Sequence, residues 1–222
     1  VTGNRGYIGT VLTEILIKKG YSVTGYDTGY YEDSYLEKPA YEISKQIKKD
    51  IRDVLEGDLE DINAIIHLAA LSNDPLGELK PGLTEEINLK GTLKFAELAK
   101  KAGVKRFIYA SSQSMYGVSD TSNELKEEEA GPYGTTAYAK TKWDAEVELK
   151  KLNDENFVVV CFRPSTVFGV SPNLRCDIVY NNLVACAYTT GKIEIKTDGT
   201  PWRPVVHVRD VSSAFIAGLE SP

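Results

Sequence analysis

The 222 residues are 42% hydrophobic and 26% charged, with a formal net charge of -6, the make-up of a soluble globular chain with ample material for a core. The longest apolar run, Phe157-Val-Val-Val-Cys-Phe162, is strand-length and far short of the ~20 residues needed to cross a bilayer. The acidic balance and the lack of a basic tract argue against a nucleic-acid or anionic-membrane surface, though not against a local pocket for a phosphate. Cys161, Cys176 and Cys186 are odd in number and show no C-x-x-C spacing, so neither a disulfide framework nor a metal site is expected, and a reducing, cytoplasmic setting fits. The chain opens at Val1 inside a strand-like stretch and stops at Ser221-Pro222 just after a helical pattern, so it reads as a fragment truncated at both ends.

Ile8, Val11, Leu12, Ile15 and Leu16 recur at helical spacing, and Lys18-Lys19-Gly20 closes the helix. Tyr21 to Tyr26 alternates around the β-branched Val23 and predicts a strand ending at Asp27. Further strands are predicted at Gln46 to Lys48, Ala64 to Leu68, Arg106 to Ser111 and Phe157 to Phe162. The last two are nearly continuous in apolar character, the pattern of strands buried on both faces. Helical patterns lie between them at about Leu83 to Lys101, Tyr138 to Lys151 and Ile178 to Thr190. This alternation predicts an α/β fold, a doubly wound parallel sheet with helices on both faces and right-handed crossovers. Residues 1–170 would form the dinucleotide-binding part, and 171–222 part of a smaller C-terminal substrate-binding lobe interleaved with it. The acidic stretch Ser119 to Ala130 reads as a surface loop.

Thr2-Gly3-Asn4-Arg5-Gly6-Tyr7-Ile8-Gly9 places three glycines between a strand end and a helix start. Gly3 permits a tight turn, Gly6 lets a pyrophosphate approach the main chain, and Gly9 allows close packing of helix on sheet. The helix N-terminus beyond them offers N–H groups and a positive dipole to phosphates. Such a triplet also occurs where only turn geometry is needed, so its context carries the argument. Asp27 stands about twenty residues further on, where a carboxylate accepts hydrogen bonds from the adenosine ribose and repels the 2'-phosphate of NADP. NAD is therefore the expected cofactor, against the alternatives that Asp27 only begins a turn and that Arg5, a cation in the glycine loop, favours NADP.

Tyr138 and Lys142 are four residues apart and so share one helical face. A free tyrosine has a pKa of about 10, and a neighbouring ammonium favours its phenolate, so Tyr138 is the candidate general base. Y-x-x-x-K alone also occurs on solvated helices. Upstream, Arg106-Phe-Ile-Tyr-Ala110 runs into Ser111-Ser112-Gln-Ser-Met-Tyr116-Gly117, which puts hydroxyls at the carboxyl end of a parallel strand, where ligands bind.

With these motifs the chain resembles the extended short-chain dehydrogenase/reductases, the NAD-dependent epimerase/dehydratase group acting on nucleotide-sugars. The resemblance runs through the glycine fingerprint, Asp50-Ile51, His67-Leu-Ala-Ala70, Asn88 within Glu86 to Thr92, Ser111-Ser112 to Tyr116-Gly117, Tyr138 to Lys142 and Arg163-Pro164 to Phe168-Gly169. It implies that Ser112 hydrogen-bonds the reacting sugar hydroxyl and that Lys142 binds the nicotinamide ribose and lowers the tyrosine pKa. It also implies that Asp50 and Ile51 flank adenine, and that Leu68, Ala69, Ala70, Asn88, Ser111 and Pro164 line the cofactor beside Gly3, Asn4, Arg5, Gly6, Tyr7, Ile8, Gly9 and Asp27. For Ile51 and the alanines, simple packing is the other reading. Arg203, in Trp202-Arg203-Pro-Val-Val-His207, resembles the arginine that grips the nucleotide diphosphate, a task suited to a permanently charged fork, and Arg175 is a second candidate. His67 and His207 lie in apolar strands without a metal partner and read as structural.

The shared chemistry of this family begins with oxidation of a sugar hydroxyl, Tyr138 taking the proton. Dehydratases of the group carry an Asp-Glu pair after the serine or threonine; here Gln113 and Ser114 stand in those positions, so elimination is not expected. A 4-epimerase needs no second acid–base group and is the expected activity, with a nucleotide-sugar reductase or dehydratase as alternative and a non-catalytic cofactor-binding sensor as a third class. The segment Gly169-Val-Ser-Pro-Asn-Leu-Arg-Cys-Asp177 departs from the usual epimerase pattern and leaves the sugar open. By analogy, the helices at 83–101 and 138–151 would pair two subunits into a homodimer.

Overall fold

The computed structural model describes residues 1–72, 74–117, 124–195, 198 and 204–222. Strands β1 (Thr24–Asp27), β2 (Lys45–Lys48), β3 (Ala64–His67), β4 (Arg106–Ala110) and β5 (Val158–Phe162) are all parallel. Thr2 bridges Tyr26 on one side and His67 on the other, so the opening segment joins the β1–β2 pair to the β3–β4–β5 trio. The spatial order is thus β2, β1, the Thr2 segment, β3, β4, β5. From that segment the chain departs to β1 on one side and later returns to β3 on the other. The switch point falls where the glycines begin, the place at which doubly wound sheets open a ligand crevice.

The helices are α1 (Tyr7–Lys18), α2 (Asp74–Leu79), α3 (Pro81–Glu85), α4 (Thr92–Lys101), α5 (Ala137–Leu152), α6 (Val179–Thr190) and α7 (Val208–Glu220). Alternation along β3 and β4 feeds two cores. Ile65, Phe107 and Tyr109 pack with Phe95, Ala96 and Leu149 of α4 and α5, while Ile66, Ile108 and Ala110 pack with Leu12, Leu16, Phe215 and Ile216 of α1 and α7. Leu12 is wholly buried, a burial that stabilises by roughly 1.5–3 kcal/mol. α7 comes from beyond residue 170 yet closes the core around the main sheet. Strands β6 (Thr166–Phe168) and β7 (Val205–His207) form a separate parallel pair.

Three expectations change. The strand expected from Tyr21 begins at Thr24, because the Tyr21 amide turns back to the Leu16 carbonyl at 3.1 Å beyond Gly20, whose φ is +89°. The helix expected over 83–101 starts at Pro81 and is interrupted by a π-helical turn at Glu86–Gly91. β5 is half-buried along its length rather than buried on both faces; it pairs only with β4 and is the sheet edge among the described residues. Residues 118–123 of the expected acidic loop lie outside the described residues, and 124–129 are exposed.

Candidate active site

The glycine loop is built by close backbone contact. A Cβ on Gly9 would come within 2.0 Å of the Gly3 carbonyl oxygen, and one on Gly3, whose φ is +66°, within 2.9 Å of the Ala69 amide nitrogen. Gly6 caps α1 without a side chain, and the first turn of α1 carries no acidic residue. The amide donors at that helix end are therefore left for an outside acceptor, as a dinucleotide pyrophosphate requires. Thr2 braces the loop from below: its Oγ1 accepts from the Leu68 and Ala69 amides, both at 3.1 Å, and lies 3.1 Å from His67 Nδ1. His67 Nε2 meets Thr92 Oγ1 at 3.1 Å, and burial pushes the imidazole down to about 3, so His67 is a neutral structural strut.

Around this loop the candidate cofactor residues divide by what their side chains touch. Asp27, at the end of β1, accepts from the Arg5 amide at 3.2 Å and the Gly29 amide at 2.8 Å, which fixes its carboxylate beside the glycines. Asp50 is gripped by Arg52, whose guanidinium lowers the carboxyl pKa against the effect of burial, and Ile51 is buried in the core. Asn4 turns inward to Gln46 at 2.9 Å, and the Tyr7 hydroxyl donates to the Gly169 carbonyl at 2.8 Å. Asn88, inside the π-helical turn, accepts from the Leu71 amide at 2.8 Å and donates to the Leu71 carbonyl at 3.0 Å, so it clamps the chain that follows Leu68, Ala69 and Ala70. Asn4, Tyr7 and Asn88 thus shape the crevice through internal bonds. Ile8 packs into the core on the α1 side of the sheet.

The catalytic candidates converge at the carboxyl end of β4. Lys142 is 3% exposed and donates to the Ala110 carbonyl at 2.7 Å, with its Nζ 4.7 Å from the centre of the Tyr109 ring and 5.8 Å from that of Tyr138. Burial brings its pKa down to about 7, with Cys161 opposing. Ser112, also buried, accepts from both the amide and the hydroxyl of Ser114, at 3.1 and 2.9 Å. With both acceptor positions of Ser112 Oγ filled, its own proton is left to donate. Pro164 accepts from the Gln113 amide at 3.2 Å and closes the serine turn from β5. Gly134 packs so tightly that a Cβ would lie 2.8 Å from the Ser114 carbonyl oxygen and 2.3 Å from Ala139 Cβ, which locks the serine turn onto the start of α5.

The model of the NAD dependent epimerase/dehydratase family matches residues 1–222. The chain belongs to that family. It is 29% identical over 257 residues to a UDP-glucose 4-epimerase of Bacillus subtilis, covering 99% of this chain and 72% of that protein. To a UDP-glucuronate 4-epimerase of Thermodesulfobacterium geofontis it is 30% identical over 236 residues, covering 99% and 71%. The solved structure of MoeE5 in complex with UDP-glucose and NAD superposes with a TM-score of 0.81 at 28% identity, covering 99% of this chain and 71% of that one.

Beside the catalytic candidates lies a buried charge network that the sequence motifs did not reveal. Glu146, whose side chain is 1% exposed, accepts from Ser111 Oγ at 2.8 Å, from Arg163 Nε at 3.1 Å and Nη2 at 2.5 Å, and pairs with Lys150 at 2.8 Å. Arg163 reaches on to the Tyr116 hydroxyl and the Glu127 carbonyl, both at 2.8 Å. The available signal was periodic: Tyr138, Lys142 and Glu146 are spaced by four and share one face of α5. Ser111 therefore directs its hydroxyl to Glu146. Arg175 forms an ion pair with Asp177 at 2.6 Å and donates to Ser72 Oγ at 3.0 Å. Arg203 lies outside the described residues. His207 accepts from the Arg209 amide at 3.3 Å and caps α7.

Proposed function

We propose that this protein is an NAD-dependent nucleotide-sugar 4-epimerase, with Ser112, Tyr138 and Lys142 as its catalytic residues. The observation that carries the reading is the serine turn: where an eliminating relative needs a carboxylate pair, this chain places Gln113 and Ser114, and Ser114 does no more than orient Ser112 as a donor. The glycine loop, with its uncapped helix end and the carboxylate of Asp27, supports NAD as the bound group, and Gly3, Gly6, Gly9, Asp27, Asp50 and the main chain at 68–70 would hold it. Bound there, NAD supplies the two-electron redox chemistry. Tyr138 accepts the proton of the sugar hydroxyl and returns it after the sugar has turned, Ser112 donates a hydrogen bond to that oxygen, and the Lys142 cation favours negative charge on the phenol. The UDP-sugars named for its relatives support a nucleoside-diphosphate sugar as substrate, with Arg175 and Arg203 as the diphosphate contacts.

Residues 1–170 serve the dinucleotide and 171–222 contribute to the sugar side, and a homodimer through the helices at 83–101 and 138–151, in the cytoplasm, completes the reading. Its support is the family analogy and three free cysteines. The test is incubation with UDP-, dTDP-, GDP- and CDP-sugars and catalytic NAD, followed by NMR. Inversion at one carbon without accumulation of reduced cofactor, abolished by Tyr138→Phe, is the expected result. Consumption of a keto-sugar with matching cofactor oxidation, or loss of water, would replace epimerisation with the reductase or dehydratase alternative.

A further inference from the structure

Arg5 projects from the glycine loop beside Asp27, and by its sequence alone it argues for NADP, since an arginine near the ribose accommodates a 2'-phosphate. In the structure its guanidinium is ion-paired with Glu32, in the short helical turn after β1. Lys48, at the end of β2, reaches the same carboxylate, with its Nζ 3.2 Å from one oxygen and 3.3 Å from the other. The clamp is shaped by Gly29: its φ is +74°, its carbonyl accepts from the Glu32 amide at 3.2 Å, and a Cβ there would lie 2.2 Å from Glu32 Oε1 and 3.0 Å from Lys48 Cε. Arg5 is held on the main chain as well, its carbonyl accepting from the Tyr35 hydroxyl at 3.1 Å and from Asn173 at 2.8 Å. Only its side chain has an alternative partner to choose.

We propose that Glu32 is a specificity-determining residue, which selects NAD by holding Arg5 and Lys48 away from the position a 2'-phosphate would take. Two cations and two carboxylates, Asp27 and Glu32, then balance around the ribose end of the crevice. Without Glu32 the same place carries a net positive charge and a guanidinium able to form a bidentate contact with phosphate. Arg5 and Glu32 are 28% and 36% exposed as side chains, but the Glu32 oxygen that meets Arg5 is itself shielded from solvent, so the carboxylate keeps the guanidinium engaged, and a phosphate gains access to Arg5 once the carboxylate is gone. The proposal rests on the reading of Asp27 as the ribose contact.

The experiment is equilibrium binding of NAD and NADP, by calorimetry, to the wild type, Glu32→Gln and the double variant Glu32→Gln/Arg5→Met. The expected result is NADP affinity at least about tenfold higher in Glu32→Gln, or about 1.4 kcal/mol, with NAD affinity within about twofold, and reversal in the double variant. Asp27 remains in all three, so NADP does not overtake NAD by a wide margin. Unchanged NADP affinity in Glu32→Gln, or a gain that survives loss of Arg5, overturns the clamp while leaving the dinucleotide reading intact. A wild type that binds neither cofactor overturns both.

Discussion

Replacing Glu146 with glutamine keeps the shape of the side chain and removes one charge from the middle of the buried network. The carboxylate is 1% exposed and accepts from Ser111, Arg163 and Lys150. Removing one partner of a buried ion pair costs about 3–5 kcal/mol. Arg163 retains Tyr116 and Glu127 as acceptors, and Lys150 is 59% exposed, so the cost here is about 2–4 kcal/mol. At about 2–4 °C per kcal/mol for a chain of this size, Tm should fall by roughly 4–16 °C at neutral pH. The pH dependence supplies the sign. Burial raises the Glu146 carboxyl, but hydrogen bonds from Arg163, Lys150 and Ser111 outweigh it and leave the pKa below its ordinary value. A carboxyl depressed by folding stabilises fully above its unfolded pKa of about 4.3, and that contribution is lost as pH falls through the folded value. Thermal melts of wild type and Glu146→Gln should therefore differ widely at pH 7.5 and converge in acid. Equal melting at pH 7.5, or a gap that persists unchanged below the folded pKa, would refute the assignment of the stability to this charge.

Two further outcomes follow from the glycine loop and the lysine. Gly9→Ala drives a methyl to within 2.0 Å of the Gly3 carbonyl oxygen; the loop must open, with at least about a tenfold loss of NAD affinity in a binding titration and a cost to stability of about 1–3 kcal/mol, as for overpacking. Retained affinity would show that the cradle tolerates a Cβ. Lys142→Met should abolish turnover yet stabilise the fold. Burial lowers the Lys142 pKa from 10.5 to about 7, so between those values the unfolded chain binds more protons and wild-type stability rises with pH. The variant lacks that slope and at pH 7 should be more stable by at least about 1 kcal/mol, roughly the worth of one pKa unit, with the advantage fading towards pH 10. Chemical denaturation across that range reads it directly, and a variant less stable than wild type at pH 7 would contradict the buried, unfavourable charge.

The fold was largely legible because its signals are local. Apolar strands alternating with helical periods require a layered parallel sheet, and Ile65 and Ile66 of β3 with Phe107 and Ile108 of the near-continuous β4 show why such strands suit it: alternate side chains enter cores on opposite faces. The same reasoning failed for β5, because an apolar run does not say whether a strand has neighbours on one side or two. The spacing of Tyr138 and Lys142 was readable for the same local reason, since helical geometry fixes which residues share a face.

What the sequence could not display are bonds between distant residues, and these decide what the motif residues do. Asn4 is bonded to Gln46, Thr2 to His67, Asn88 to the main chain of Leu71, and Ser111 to Glu146, each pair separated by between 17 and 65 positions. A polar residue in a recognisable motif invites a ligand-contact reading, yet a crevice lined by main-chain amides needs support behind them, and that support must also be polar because buried backbone groups require partners. Thr2 illustrates the division of labour, its hydroxyl holding the amides of Leu68 and Ala69 while Gly3 packs bare main chain against the same segment. Arg5 extends the argument to charge. Its place in the sequence argues for one cofactor and its partner in the structure for the other, and the difference is a single carboxylate 27 residues downstream that only the folded chain brings into contact.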